Sequence, residues 1–384
     1  MPELKLLRRI AAELEAPRAE RPFGSGWLSG SIALLAAVTG LLMVIVLRNP
    51  SITSMPDLAP IHDTLFFQPV LYFVLIAGYV LAVLSLILRK DKTLGGVAIV
   101  VVLLASLIGS LPDHRDISLH GVFFGLDFFI LNVLFTGVLF VPLERLFARH
   151  KDQTLFRDEW REDLFYYLVS SLLVQVLTYL TLAPSNFLNQ QAEIGAVRGF
   201  VHGLPWVVQL AAIMVLTDLA QYWVHRAFHR IPLLWNFHAV HHSARSMDWI
   251  AGARMHFIEI VVLRSLTATP MFVLGFDESA IQAYILIVYV YSAFIHSNIG
   301  TDFGLVEKLL VAPRFHHWHH GVEEEAIDVN FAIHFPFLDR LFGTYHLPEG
   351  KWPDGYGIKG NPVPRGYWQQ FWYPLRRRRS SRAA

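Results

Sequence analysis

The sequence predicts an all-α fold: a polytopic transmembrane helical bundle carrying a cytoplasmic histidine-lined di-metal cap. Three observations predict it. Of 384 residues, 54% are hydrophobic and only 16% are charged, at a mean hydropathy of +0.42, whereas a water-soluble domain carries about a quarter charged residues. The apolar residues come in blocks of about 20, the length that crosses roughly 30 Å of hydrocarbon as a helix. Third, the histidines cluster late in the chain, His225 to His320 holding 11 of the 18. A net charge of +1 offers no bulk field for nucleic acid. The lack of any cysteine excludes disulfides, thiolate metal sites and cysteine nucleophiles. A bound metal must then be held by His, Asp or Glu.

Residues 1–27 read as an amphipathic cytoplasmic N-terminus. Leu7, Ile10, Ala11 and Leu14 recur at helical spacing among Lys5, Arg8 and Arg9, until Pro17 ends the pattern, as in a helix lying on a membrane surface. A secretory signal is not expected, because the following apolar stretch is of span length. Apolar blocks follow at about 28–47, 68–88, 94–112, 121–143, 164–184 and 204–224, with a less uniform pair at 261–276 and 280–296. The reading is six full spans plus a hairpin. Lysine and arginine number five before the first span, then one, three, one, five and one in successive loops, and cytoplasmic loops hold the excess. Both termini are therefore expected in the cytoplasm, in a bacterial inner membrane or its equivalent. The chain divides into residues 1–27, an extra N-terminal region of three spans at 28–119, a catalytic core at 120–346 and a basic aromatic tail at 347–384. The tail, with Trp368, Phe371, Trp372 and Tyr373 ahead of Arg376, Arg377, Arg378 and Arg379, reads as interfacial.

The first histidine cluster closes the sixth span. His225 and His229 stand at i and i+4, with Asp218 two turns earlier on the same face, so that two imidazoles meet one metal with a carboxylate near to fix a tautomer. His238, His241 and His242 form the second cluster, and His316, His319 and His320 the third, each spaced i, i+3, i+4 along one stripe. His317 is turned about 100° away from His316. Single histidines beside aromatic residues are mostly packing groups, but eight aligned imidazoles would repel one another if protonated. Neutral imidazole is the commonest metal ligand, and eight exceed what one ion uses, so two metal ions are expected. Ligand type alone leaves Fe, Zn and Cu open. The rival reading, a membrane metal transporter or metal-binding protein, would place its ligands in mid-span or in flexible histidine-rich loops.

These boxes, HRAFH at 225–229, HAVHH at 238–242 and HHWHH at 316–320, resemble those of the fatty acid hydroxylase superfamily, which includes the sterol desaturases. The flanks are similar too: Tyr222-Trp223, Asp248-Trp249, Arg254 to Glu259, Ala312 to Phe315 and Asp339 to Tyr345. The resemblance covers about residues 120–346. It implies a non-haem di-iron oxidoreductase that uses O2 to hydroxylate or desaturate a lipid C–H bond, on a sterol or hopanoid, a fatty acyl chain or a related membrane lipid. It implies two Fe ions held by His225, His229, His238, His241, His242, His316, His319 and His320, with His296 as a further ligand; zinc is the expected contaminant after overexpression, because it outcompetes Fe(II) for imidazole. Some members place a second histidine four residues after the one matching His296, where this chain has Gly300, and Asn298 or a water is the expected substitute. Asp218, His256 and Glu259 are read as groups behind the ligands or acting through water. Alternatively, His256 and Glu259 cap a returning helix and pair with Arg254. No haem-attachment CxxCH and no GxGxxG opening a helix occur, so electrons must come from a ferredoxin, a cytochrome b5-like protein or a flavin reductase. The protein's other partners are the bilayer and the lipid substrate, with no nucleic acid.

Overall fold

The computed structural model describes residues 2–49, 67–110, 126–191 and 194–376, and these are helical, with no strand among them beyond two isolated bridges. The expected boundary at 119/120 and the tail arginines Arg377, Arg378 and Arg379 lie outside the described residues. The chain forms two compact units, one of residues 1–142, 152–157 and 171–173, the other of 143–151, 158–170 and 174–384.

The first unit is built on small residues. Helices α1 (Pro2–Leu14), α2 (Trp27–Arg48), α3 (Phe67–Leu88) and α4 (Thr93–Ser110) pack with Ala33, Ala37, Ala82 and Ala98 completely buried between them. Without a hydrophobic drive in lipid, close backbone approach supplies the attraction. A methyl group on Gly30 would overlap the Ser85 hydroxyl. Arg89, 6% exposed, meets Glu13 at 2.6 Å and so ties α1 to the end of α3. The expected surface helix is thus docked on one side, Ile10 and Leu14 packing on Trp27 and Leu94, while Leu7 stays 65% exposed. Helix α5 (Leu126–Leu146) follows.

The second unit contains α6 (Trp160–Leu172), α7 (Val174–Gln191), α8 (Gly195–His202), α9 (Trp206–Arg230), α10 (Pro232–His238), α11 (Phe257–Val273), α12 (Glu278–His296), α13 (Pro313–His319), α14 (Phe337–Phe342) and α15 (Tyr367–Arg376). Ile213 of α9 packs with Ala268 and Met271 of α11 and Ala280, Ile281 and Tyr284 of α12. Among the described residues five helices are long and apolar enough to cross a membrane: α2, α3, residues 128–146 of α5, α9 and α12. Helix α4 is apolar but shorter.

The expected fifth span, 164–184, is not one helix. Helices α6 and α7 bend by 59° at a short break. Asp163 in the first turn of α6 is fully buried against the equally buried Arg254, at 2.5 Å, so this part of the block serves the histidine-bearing region as well as the membrane. The expected hairpin consists of α11 and α12, and α12 has span length.

Candidate metal centre

Helix geometry delivers the ligands. His225 and His229 occupy the last turns of α9, and His296 is the final residue of α12. Two span-length helices therefore end in imidazoles at one place. Pro232 opens α10 and Pro313 opens α13, each at the position where a missing N–H costs nothing, and the second and third boxes ride on these two short helices.

The nine histidines fall into two groups: His225, His229, His238, His242 and His319 in one, His241, His296, His316 and His320 in the other. Within each, one nitrogen per ring lies within 4.8 Å of all the rest. The groups abut, His242 of the first stacking on His320 of the second at 4.4 Å. The expectation that each HxxHH box lines a single stripe is corrected here. In both boxes the outer pair serves one group and the inner histidine crosses to the other. His238 ends α10 and His241 begins a 3-10 turn, so the second box does not lie on one continuous helix.

The ring nitrogens fit metal ions. Nε2 to Nε2 separations are 3.0 Å for His225 and His238, 3.1 Å for His238 and His242, 3.0 Å for His296 and His316, 3.2 Å for His316 and His320 and 3.3 Å for His241 and His296. Imidazole nitrogens about 2.1 Å from a shared metal stand roughly 3.0–3.4 Å apart. The other nitrogen is tied outward in most rings. Nδ1 of His225 donates to the Phe331 carbonyl (2.9 Å), of His238 to Glu259 (2.6 Å), of His241 to the Arg254 carbonyl (3.1 Å), of His296 to the Ser292 carbonyl (2.7 Å) and of His319 to the Val329 carbonyl (2.7 Å). Those bonds fix the tautomer and aim the Nε2 lone pair inward. Nε2 of His229 and of His319 is buried without a protein partner, as an atom waiting for a metal would be. Burial, with the neighbouring imidazoles adding to it, holds His238, His241, His242, His316, His319 and His320 well below the usual imidazole range. The rings are neutral and able to ligate.

Behind the rings lies a segment that spacing alone does not reveal. Residues 328–335 supply the carbonyls of Val329 and Phe331, and Asp328 lies 3.4 Å from Nδ1 of His229. Five successive amides of this segment are held by two buried carboxylates. Asp339 accepts from Phe331 and Ala332, and Asp218 from Ile333, His334 and Phe335. Asp218, read beside the first box, thus touches the backbone rather than a box imidazole: it holds the amides of residues 333–335, while Asp339 holds the Phe331 and Ala332 amides on either side of the carbonyl that meets His225. Its position on the His225 face was the visible clue; its acceptors come from far along the chain.

The remaining candidates separate. Glu259 holds His238, whereas His256 caps α11 through the Ile258 amide and donates to the Phe371 carbonyl (2.9 Å). Asn298 is engaged with the backbone of His150 and belongs to neither histidine group, so it does not take the place expected for it. Gly300 has a steric reason: a Cβ there would stand 2.7 Å from the Arg149 backbone, which leaves no room for a second histidine. His317 bonds the Tyr356 hydroxyl (2.8 Å) and the Ser297 carbonyl (3.1 Å), outside both groups.

A multi-pass helical membrane protein with two adjoining groups of buried, pre-oriented imidazoles has the ligand sets of a histidine-box metal centre. Residues 210–344 match the fatty acid hydroxylase family model, and this part of the chain is similar to members of that superfamily. The chain is 30% identical over 178 residues to the ornithine lipid hydroxylase OlsE of Rhizobium tropici, covering 45% of this chain and 52% of the relative. It is also 30% identical over 145 residues to alkylglycerol monooxygenase of Xenopus tropicalis and 31% identical over 144 to that of Danio rerio, each covering 38% of this chain and 31% of the relative. The chain thus spans about half or less of these relatives. No solved structure matches it.

Proposed function

We propose that this chain is an O2-dependent hydroxylase of a membrane lipid, working with two iron ions held by the two histidine groups. The carrying observation is the pair of convergent Nε2 sets, each ring neutral and most of them tied from behind. A metal transporter needs ligands that release their ion, and rings anchored to backbone carbonyls and to Glu259 are poorly suited to that. The chemistry a bound iron pair supplies is the reduction of O2 by two electrons, one oxygen atom entering a C–H bond and the other leaving as water with two protons. The chain's own part is to aim nine lone pairs, to keep bulk water from buried rings and to meet a lipid at the ends of α9 and α12. The basic excess in the loops supports a cytoplasmic position for those ends. There an external donor, a ferredoxin, a cytochrome b5-like protein or a flavin reductase, supplies the electrons. The named activities of the relatives, on ornithine lipid and on alkylglycerol, favour a lipid with a polar head over a free hydrocarbon.

Iron analysis and lipid mass analysis test this together. Two irons per purified chain are expected, with a lipid one oxygen heavier in cells that carry the gene. His319→Ala and His316→Ala, one from each group, should each lower the iron content and abolish the product. One iron in the wild type, or full activity in either variant, overturns the two-iron reading; loaded iron with no change in any lipid overturns the substrate class.

A further inference from the structure

The outward face of α15 is apolar where a soluble cap would be polar. Trp368 is 63% exposed, Trp372 44% and Leu375 66%, and their i, i+4, i+7 spacing puts them on one stripe. The opposite face is fixed to the second unit. The Gln370 side chain donates to Glu162 (2.9 Å), the Gly366 amide to the same carboxylate (3.0 Å), and His256 to the Phe371 carbonyl. Tyr373 packs with Tyr166, Ala239 and Val240. The helix cannot roll its tryptophans inward without breaking these bonds. Beside it lies a cavity of about 330 Å³ lined by Pro364, Gln369, Tyr373 and Arg376, and Arg376 begins a run of four arginines in the sequence.

We propose that α15 seats on an anionic bilayer surface, with Trp368, Trp372 and Leu375 at the headgroup level and a lipid phosphate against Arg376 in that cavity. Indoles settle where apolar and wet phases meet, and juxtaposed arginines select anionic over neutral lipid. An acidic protein would satisfy the arginines but not three outward apolar side chains. The bilayer satisfies both.

Because the chain has no cysteine, one introduced thiol reports cleanly. The full chain carrying Trp372→Cys with an environment-sensitive fluorophore is placed in nanodiscs of phosphatidylcholine alone or with phosphatidylglycerol, each containing a headgroup-nitroxide lipid. Glu349→Cys is the water-exposed control and Trp368→Cys the second site should the first variant misfold. Quenching at 372 in anionic discs, weak in neutral ones, is expected. Neutralising Arg376 through Arg379 with Gln should weaken the seating roughly fivefold per arginine. Equal quenching in both lipids overturns the anionic preference. No quenching in either overturns the seating, as does a label that only an added acidic redox protein shields.

Discussion

Glu259 is a single carboxylate with one strong contact in the site, 2.6 Å to Nδ1 of His238. Both partners are buried, so the carboxylate raises the basicity of that ring and sets its plane. Outer partners of this kind are worth roughly 10–100-fold in metal affinity. Glu259→Gln, which keeps an acceptor oxygen in place of the carboxyl, is expected near the lower end of that range and Glu259→Ala near the upper, read by iron competition with a chelator. An unchanged iron affinity in Glu259→Ala would mean that His238 is held by other means. Gly252 acts on the other group through space. An ideal Cβ there lies 2.8 Å from Nδ1 of His296, the nitrogen that meets the Ser292 carbonyl at 2.7 Å, so a shift of the ring disturbs that bond. Gly252→Ala is expected to cost about 1–3 kcal/mol of strain and to leave about one iron per chain, bound in the His225 group; two irons in a folded variant would refute it. Of these two residues only Glu259 was visible in the sequence, as an acid near a histidine. Gly252 shows no sign there, because its importance comes from a ring 44 positions away that happens to face it.

At the scale of elements, histidine spacing made the ligand-bearing helices legible, since i, i+3 and i+4 on a helix share a side. It did not reveal the division of labour within each box, which depends on where α10 and α13 end and on the rings arriving from α9 and α12. Nor did it reveal the segment 328–335. That stretch lacks periodicity, and Asp328 and Asn330 hold left-handed backbone at φ 59° and 58°, a geometry with no run-length signal. Its order rests on Asp218 and Asp339. Removing Asp218 leaves three amides without an acceptor, each costing about 1–3 kcal/mol where it is buried. Asp218→Ala should therefore lower the thermal midpoint and the iron content together, since the three freed amides directly follow the Phe331–Ala332 peptide whose carbonyl holds His225. A variant that melts early but still binds two irons per chain would show that the segment supports the fold and not the ligands. Asp218→Asn, which keeps one acceptor oxygen, is expected to fall between.

Across the whole molecule, all nine candidate ligands and the groups that orient them lie in the second unit, and the first unit contributes none of them. Apolar block length made the presence of the first unit's helices plain, but its packing code is a matter of small residues whose exposure cannot be read from hydropathy: Ala33 and Ala82 are completely buried while Ile76 and Ile87, more apolar, are 62% and 70% exposed. In a lipid-facing bundle the larger residue belongs outside, which inverts the usual reading of a hydrophobic core. The units can then be separated without cutting the chain. Gly30→Leu forces a branched side chain against Ser85 and Leu94 and is expected to cost the first unit about 1–3 kcal/mol of overpacking. Iron should remain at two per chain and the N-terminal half should become more sensitive to protease. If turnover with an artificial reductant also persists, the catalytic unit is the second one alone. If iron stays bound while turnover with the natural donor alone is lost, the first unit serves electron delivery. Loss of iron itself would show that the two units fold as one, and that the separation of metal chemistry from the N-terminal spans is wrong.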